Sequence, residues 1–399
     1  MGIIIKTKEV DMIEHSKESL ENLRIHELRD LARKVGVKAP TLLKKEDIIE
    51  QTMAIISGDQ KPYVKKNNKG RPAKNSLSES EMFIPSFNQE QGDKNDLVLE
   101  NQKFGFFINA PGLRFNLSND ATETEGILDI HPNGYGILRT QGYSPSDNDI
   151  FVCTQTVAEN NLRIGQKISG LEREIQKGKP HAVVKLTGIE GIDPSRYILQ
   201  PAFDQLPYVE QKRALPVTNI LKKSVKITEG SRSFISFKDV KTMTICGIDL
   251  CKNIAKDSSH IVVYLNMDAL PEDTAQYGNF EKIDIPFSMS EVNQISTINL
   301  AIERAKRRVE NGENVIVIIK EMSKLLRILN TSITDMVSYE NLNIKALHKM
   351  KKIIMTAKGG KAGSLTVIML DSDGSAPKSI QDVITFELMP LFNNIIKID

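Results

Sequence analysis

The sequence predicts a multidomain chain that joins an α+β part to an α/β part. Three observations carry that prediction. Two short helical patterns stand alone before residue 57, short apolar runs broken by turn signals fill residues 96–192, and apolar strands alternate with amphipathic helices from about residue 215. A length of 399 residues suits two or three cores better than one.

The first element is a minimal helical module over residues 1–57. Leu28, Leu31, Ala32 and Val35 recur at helical spacing, and Gly36 stands where a helix-ending glycine belongs. Residues 44–57 repeat the pattern with Ile48, Ile49, Met53 and Ile56. Residues 58–95 read as a basic flexible linker, since 61–75 hold six basic residues, two prolines and no acid. Within it, Lys69-Gly70-Arg71-Pro72-Ala73-Lys74 is similar to an AT-hook core, a strip suited to a DNA minor groove. A solvated basic tether is the plainer reading of the same six residues.

Residues 96–192 read as a small β-barrel. Runs at 126–130, 136–138, 149–152 and 182–186 are divided by Pro132-Asn133-Gly134, by Ser144-Pro145-Ser146-Asp147 and by Lys177-Gly178-Lys179-Pro180. A connector, 193–214, leads to residues 215–399. There, apolar strands at 260–265, 315–319 and 364–370 alternate with helices at 291–311 and 341–357. Ile295, Ile298, Ile302, Ala305 and Val309 line one face of the first helix, which Gly312 closes. Apolar strands between amphipathic helices predict a parallel sheet covered on both faces.

Composition excludes several classes. With 40% hydrophobic and 26% charged residues and a net charge of +2, the chain is neither disordered nor a wholly basic nucleic-acid coat. No run approaches the ~18 apolar residues of a membrane helix. The start lacks the basic region and apolar core of a signal peptide. Three cysteines, Cys153, Cys246 and Cys251, show no metal spacing, so no metal or cofactor and a cytoplasmic location are expected.

The most informative run is Asn133-Gly134-Tyr135-Gly136-Ile137-Leu138-Arg139. Glycines beside an aromatic keep the backbone low, so the Tyr135 ring is expected to stand clear as a stacking platform for an unpaired base. Phe151 would supply a second platform on a neighbouring strand. Arg139 suits a phosphate or a stacked base, and Asp149 a base edge. The competing reading makes Tyr135, Ile137 and Phe151 core residues; for Ile137 the two are evenly matched.

Residues 125–139, followed in order by 147–152 and 161–170, resemble the cold-shock RNA-binding domain of the transcription termination factor Rho family. Residues 23–56 resemble that family's helical N-terminal domain. The resemblance implies a cold-shock/OB-type barrel that grips single-stranded RNA, with Tyr135 and Phe151 stacking on it. It also implies that Ile137 replaces a family aromatic, and that another near His181 is missing.

The resemblance extends to a RecA-like α/β domain, in which residues 314–330 are similar to the Walker B strand and the helix after it. The nucleotide chemistry is absent. A phosphate-binding loop needs Gly-x-x-x-x-Gly-Lys-[Ser/Thr], whose amides cradle phosphate. The matching region, 236–245, has no glycine; Lys241-Thr242 copies the motif's end in letters only, and Asp239 would repel a phosphate. Lys320 stands where the family holds Mg²⁺ through an acid, and Met267 where it places a catalytic glutamate. Asp268 and Glu321 are each one step off register. The resemblance therefore implies a pseudo-ATPase.

Lys345, Lys349, Lys352 and Lys378 are candidates for a secondary RNA contact, within a basic cluster that also includes His348, Lys351, Lys358 and Lys361. The plain alternative is a solvated helix face. The expected function is ATP-independent binding of single-stranded RNA that modulates, and most simply antagonises, Rho-dependent termination. It would act by competing for RNA or by joining authentic Rho rings, with homo-oligomers also open. A protein-binding scaffold and an RNA-dependent NTPase with rearranged residues are the rivals.

Overall fold

The computed structural model describes residues 28–29, 31–32, 35, 37, 43–56, 103, 121–174, 177–178, 180–211, 213–217, 226–270, 278–331, 338–339, 342–374 and 377–398. The chain divides into two compact units, 1–84 and 85–399. In the first, α1 (Lys45–Ile56) begins with Glu46 and Asp47, acids that suit the positive end of a helix. Its Ile48 and Ile49 pack with Leu28, Ala32 and Val37 into a small closed core. The linker expected at 58–95, with the Lys69–Lys74 strip, lies outside the described residues.

The second unit opens with a closed five-stranded barrel of OB-like form. Its strands are β1 (Thr122–Ile130), β2 (Gly136–Arg139), β3 (Ile150–Val152), β4 (Lys167–Glu174) and β5 (His181–Ile189), in spatial order β1-β2-β3-β5-β4. A short helix, α2 (Thr154–Glu159), follows β3. Strand alternation sends Leu128, Leu138, Ile150, Val152, Ile168 and Val183 inward, where they form one core with Leu162 and Ile189. Gly136 also faces inward. A Cβ there would lie 2.8 Å from Leu128 Cδ1 and 2.9 Å from Val152 Cβ, so its glycine is required by the barrel's packing.

The α/β part is a sheet of β14-β6-β13-β9-β7-β8, with β12 added on β13. The strands are β6 (Arg232–Phe237), β7 (His260–Met267), β8 (Glu281–Ile285), β9 (Asn314–Ile319), β12 (Lys358–Gly359), β13 (Ser364–Ser372) and β14 (Asn394–Ile398). Every pairing along the main path is parallel, and only β12 runs antiparallel. Helices α3 (Val240–Ile254), α4 (Glu291–Glu310), α5 (Met322–Thr331) and α6 (Ile344–Met355) connect them, and α7 (Lys378–Val383) precedes β14. β10 (Ser338–Tyr339) and β11 (Leu342–Asn343) form a two-stranded ladder before α6. Separate apolar cores flank the sheet, one with α4, α5 and α6 and the other with α3. A largely parallel, doubly covered sheet of this kind is consistent with a RecA-like fold.

The barrel is docked on α4. Gly165, at φ +84°, brings its Cα so close to the helix that a Cβ would lie 2.5 Å from the Glu303 carbonyl carbon. Arg304 Nη1 donates to Gly165 O at 3.2 Å and to Glu190 Oε1 at 2.6 Å. On the same helix Glu310 accepts from the Phe203 backbone N–H at 2.6 Å and lies 3.5 Å from Arg163. Burial raises the Glu310 pKa above the ordinary carboxylate range, with Arg307 pulling the other way. Among the described residues, no helix is long and apolar enough to cross a membrane.

Candidate nucleic-acid interface

The five barrel residues singled out by sequence do gather on one face. Ile137 pairs in register with Phe151 across β2 and β3, and Phe151 with Ala182 across β3 and β5. Because their neighbours point inward, Ile137, Arg139 and Phe151 all point outward. Tyr135, Ile137, Phe151 and Ala182 form a cluster of their own, with Cys153 packed against it.

Their exposure, however, corrects the expectation of open stacking platforms. Tyr135 is 2%, Ile137 1% and Phe151 3% exposed, so all three rest in a second, outer core. Alternation settles which face a side chain takes and says nothing of whether that face is covered. The rings are stacked on each other: Tyr135 and Phe151 have centroids 5.5 Å apart at 29°, and His131 lies against Tyr135 at 4.4 Å and 13°. His131 was not singled out by sequence. Its position as the last residue before a Pro-Asn-Gly turn, four before Tyr135, was the available signal.

Arg139 and Asp149 are likewise not offered separately to phosphate and base. Arg139 Nη1 lies 2.6 Å from Asp149 Oδ2 and Nη2 2.7 Å from Asp129 Oδ2. Asp149 also accepts from the Ser146 N–H and hydroxyl, each at 2.9 Å. The guanidinium is therefore held flat against the outer face by two carboxylates. Asp129 escaped the sequence reading, although it stands opposite Ile137 in the β1–β2 register and so shares that face.

The strand ends of the α/β sheet carry the other predicted group. β6 passes into α3 through Lys238 and Asp239 alone. The Asp239 carboxylate caps the helix, accepting from Thr242 N and Thr242 Oγ1, both at 2.8 Å. The Thr242 amide bond holds its pKa below the ordinary value. An acid of the chain thus sits at the helix end where a phosphate-binding loop would present free amides. Lys241 is exposed beside it.

Met267 is fully buried at the end of β7, in the core. Lys320, 3% exposed, donates to Asn266 Oδ1 at 3.1 Å and lies 3.8 Å from Glu321. Asp268 is taken by Lys324 at 2.6 Å, and Glu321 by the same ammonium at 2.7 Å. Burial alone would lower the Lys324 pKa, but those two carboxylates raise it. The ionic groups at this edge are thereby matched to one another. No group of three or more possible metal ligands occurs among the described residues.

The basic cluster is divided by the fold. Lys345, His348, Lys349 and Lys352 share one face of α6, with His348 and Lys352 exposed. Lys351 pairs with Glu387 at 2.6 Å, and Lys358 donates to Phe203 O at 3.2 Å, so both have structural work. Lys378 stands on a different helix, at the start of α7, and is exposed.

Residues 124–195, the barrel, match the family model of the Rho termination factor, RNA-binding domain. Transcription termination factor Rho of Streptomyces lividans is 30% identical over 263 residues, covering 61% of this chain and 37% of that protein. Rho of Thermotoga maritima is 27% identical over 262 residues, 61% of each chain. Rho of Aquifex aeolicus is 23% identical over 378 residues, 89% of this chain and 73% of that protein. The matched part is thus less than two thirds of the length of the first two relatives. This chain is homologous to the Rho termination factors at moderate identity.

Proposed function

We propose that this chain is an ATP-independent, single-stranded-RNA-binding relative of Rho that antagonises Rho-dependent termination by competing for RNA. The observation that carries the reading is the barrel itself: the region similar to the Rho RNA-binding domain retains an outer-face constellation of Tyr135, Phe151, Arg139 and Asp149. Insertion into authentic Rho rings is a second route to the same effect.

Loss of the ATPase is part of this reading. Asp239 on the α3 N-terminus and Lys320 at the end of β9 both support it, since each places the wrong charge for a nucleotide phosphate or its metal. With no phosphate cradle, neither a bound triphosphate nor a developing negative charge would be stabilised.

The test is fluorescence anisotropy of labelled single-stranded RNA with the purified full chain, across a salt series and without nucleotide. Salt-sensitive binding that weakens about tenfold or more in Tyr135→Ala and Phe151→Ala supports the proposal. Absence of binding at low salt overturns it. Phosphate release with RNA present, abolished by Lys241→Ala, would instead favour an RNA-dependent NTPase.

A further inference from the structure

The turn between β1 and β2 builds a third ring into the barrel's outer face. The His131 N–H donates to Tyr135 O at 2.9 Å, and the His131 carbonyl accepts from Gly134 N at 2.8 Å. The turn therefore presses the imidazole flat on Tyr135, which continues onto Phe151. Three rings stand in a row.

The two imidazole nitrogens are not equivalent. Nδ1 accepts from the Asn133 backbone N–H at 3.2 Å, so the hydrogen of the neutral ring is assigned to Nε2. Burial holds the His131 pKa below the ordinary histidine value, against a smaller upward pull from Asp129, so the ring is neutral at neutral pH. Nε2 is buried and has no hydrogen-bond partner in the structure, in a residue only 8% exposed. Buried donors are nearly always paired, and an orphan in a residue this enclosed calls for an acceptor from outside the chain.

We propose that His131 is a base-reading residue of the RNA site, its Nε2–H donating, in the plane of the imidazole, to a carbonyl oxygen of a base that meets the ring edge-on. The inference rests on the RNA-binding reading above. Uracil, cytosine and guanine carry such a carbonyl, and adenine does not. The base supplies the acceptor that Nε2–H lacks in the free chain. A donor left without its acceptor discriminates strongly against the base that fails to provide one.

The experiment measures oligo-U and oligo-A binding by anisotropy with the full chain, its His131→Phe variant and its His131→Gln variant. The expected result is a preference of the native chain for oligo-U of about tenfold. His131→Phe keeps a ring and loses the donor, so oligo-U affinity falls to near that of oligo-A, which changes little. His131→Gln keeps an N–H donor and retains part of the preference. As a check that needs no variant, oligomers of 2-thiouridine or 4-thiouridine, weaker acceptors at one position each, bind the native chain less well in one of the two cases. An unchanged oligo-U to oligo-A ratio in His131→Phe, or equal binding of both thio-oligomers and oligo-U, overturns the inference while leaving RNA binding intact. No binding of any RNA by the native chain overturns the RNA reading itself.

Discussion

Arg139 and Asp149 face each other at 2.6 Å on the barrel's outer face, and each side chain is only 2% exposed. A pair this enclosed has exchanged hydration for mutual charge. Removing one partner leaves the other without compensation. Arg139→Ala is therefore expected to destabilise the barrel by about 3–5 kcal/mol, read as a lowered urea midpoint. A loss below about 1 kcal/mol would show that water reaches Asp149 freely.

His131 gives the barrel a pH dependence of known sign. Its folded-state pKa lies below the ordinary value, so the unfolded chain takes up the proton first as pH falls. The contribution to stability is complete above pH ~6.5 and is lost as pH falls from there toward the lower folded value. Urea titrations at pH 7.5, 6.5 and 5.5 should show that trend in the native chain. The stability of His131→Phe relative to the native chain should rise as the pH falls; an offset that stays constant with pH would remove His131 as the cause.

Placing an acid at the end of β9 should not create an ATPase. Lys320→Asp removes a buried ammonium and sets a carboxylate beside Glu321, which is 1% exposed, so like charges meet without water. The expected outcome is a stability loss of about 3 kcal/mol or more and no RNA-stimulated phosphate release. Turnover in that variant would mean that the strand edge needs only one residue to hold a nucleotide's metal.

Gly165 sets the docking of the barrel on α4. Alanine there meets both a positive φ and the backbone of Glu303, neither of which a side chain can evade. Gly165→Ala should cost roughly 2–4 kcal/mol and open the junction to limited proteolysis near residue 200. An unchanged digestion pattern and melting temperature would show that the two parts are held elsewhere.

Much of the fold was legible because apolar periodicity is local. The helix expected at 291–311 is α4 (Glu291–Glu310), ended by Gly312 at φ +92°, and the strand expected at 315–319 is β9 (Asn314–Ile319). β14 and β8 were missed. Asn394–Ile398 is short and half-exposed, and Glu281–Ile285 carries three charges among five residues, as edge strands often do. At the site, strand parity told which residues share a face. It told nothing of cover, so Tyr135 and Phe151 were placed correctly and exposed wrongly. Lys320 takes Asn266 and Glu321 as partners, while Asp268 goes to Lys324, a partition decided by three-dimensional reach that no spacing encodes.

The passage from β6 to α3 takes two residues, Lys238 and Asp239. A phosphate cradle of the form Gly-x-x-x-x-Gly needs six before its lysine. Six residues, Ile235 to Val240, do stand before Lys241, but the sheet claims the first three and the helix the last. Glycines placed there would have to break the pairing of Ile235, Ser236 and Phe237 with both neighbouring strands, and give up the Asp239 cap, before any cradle formed.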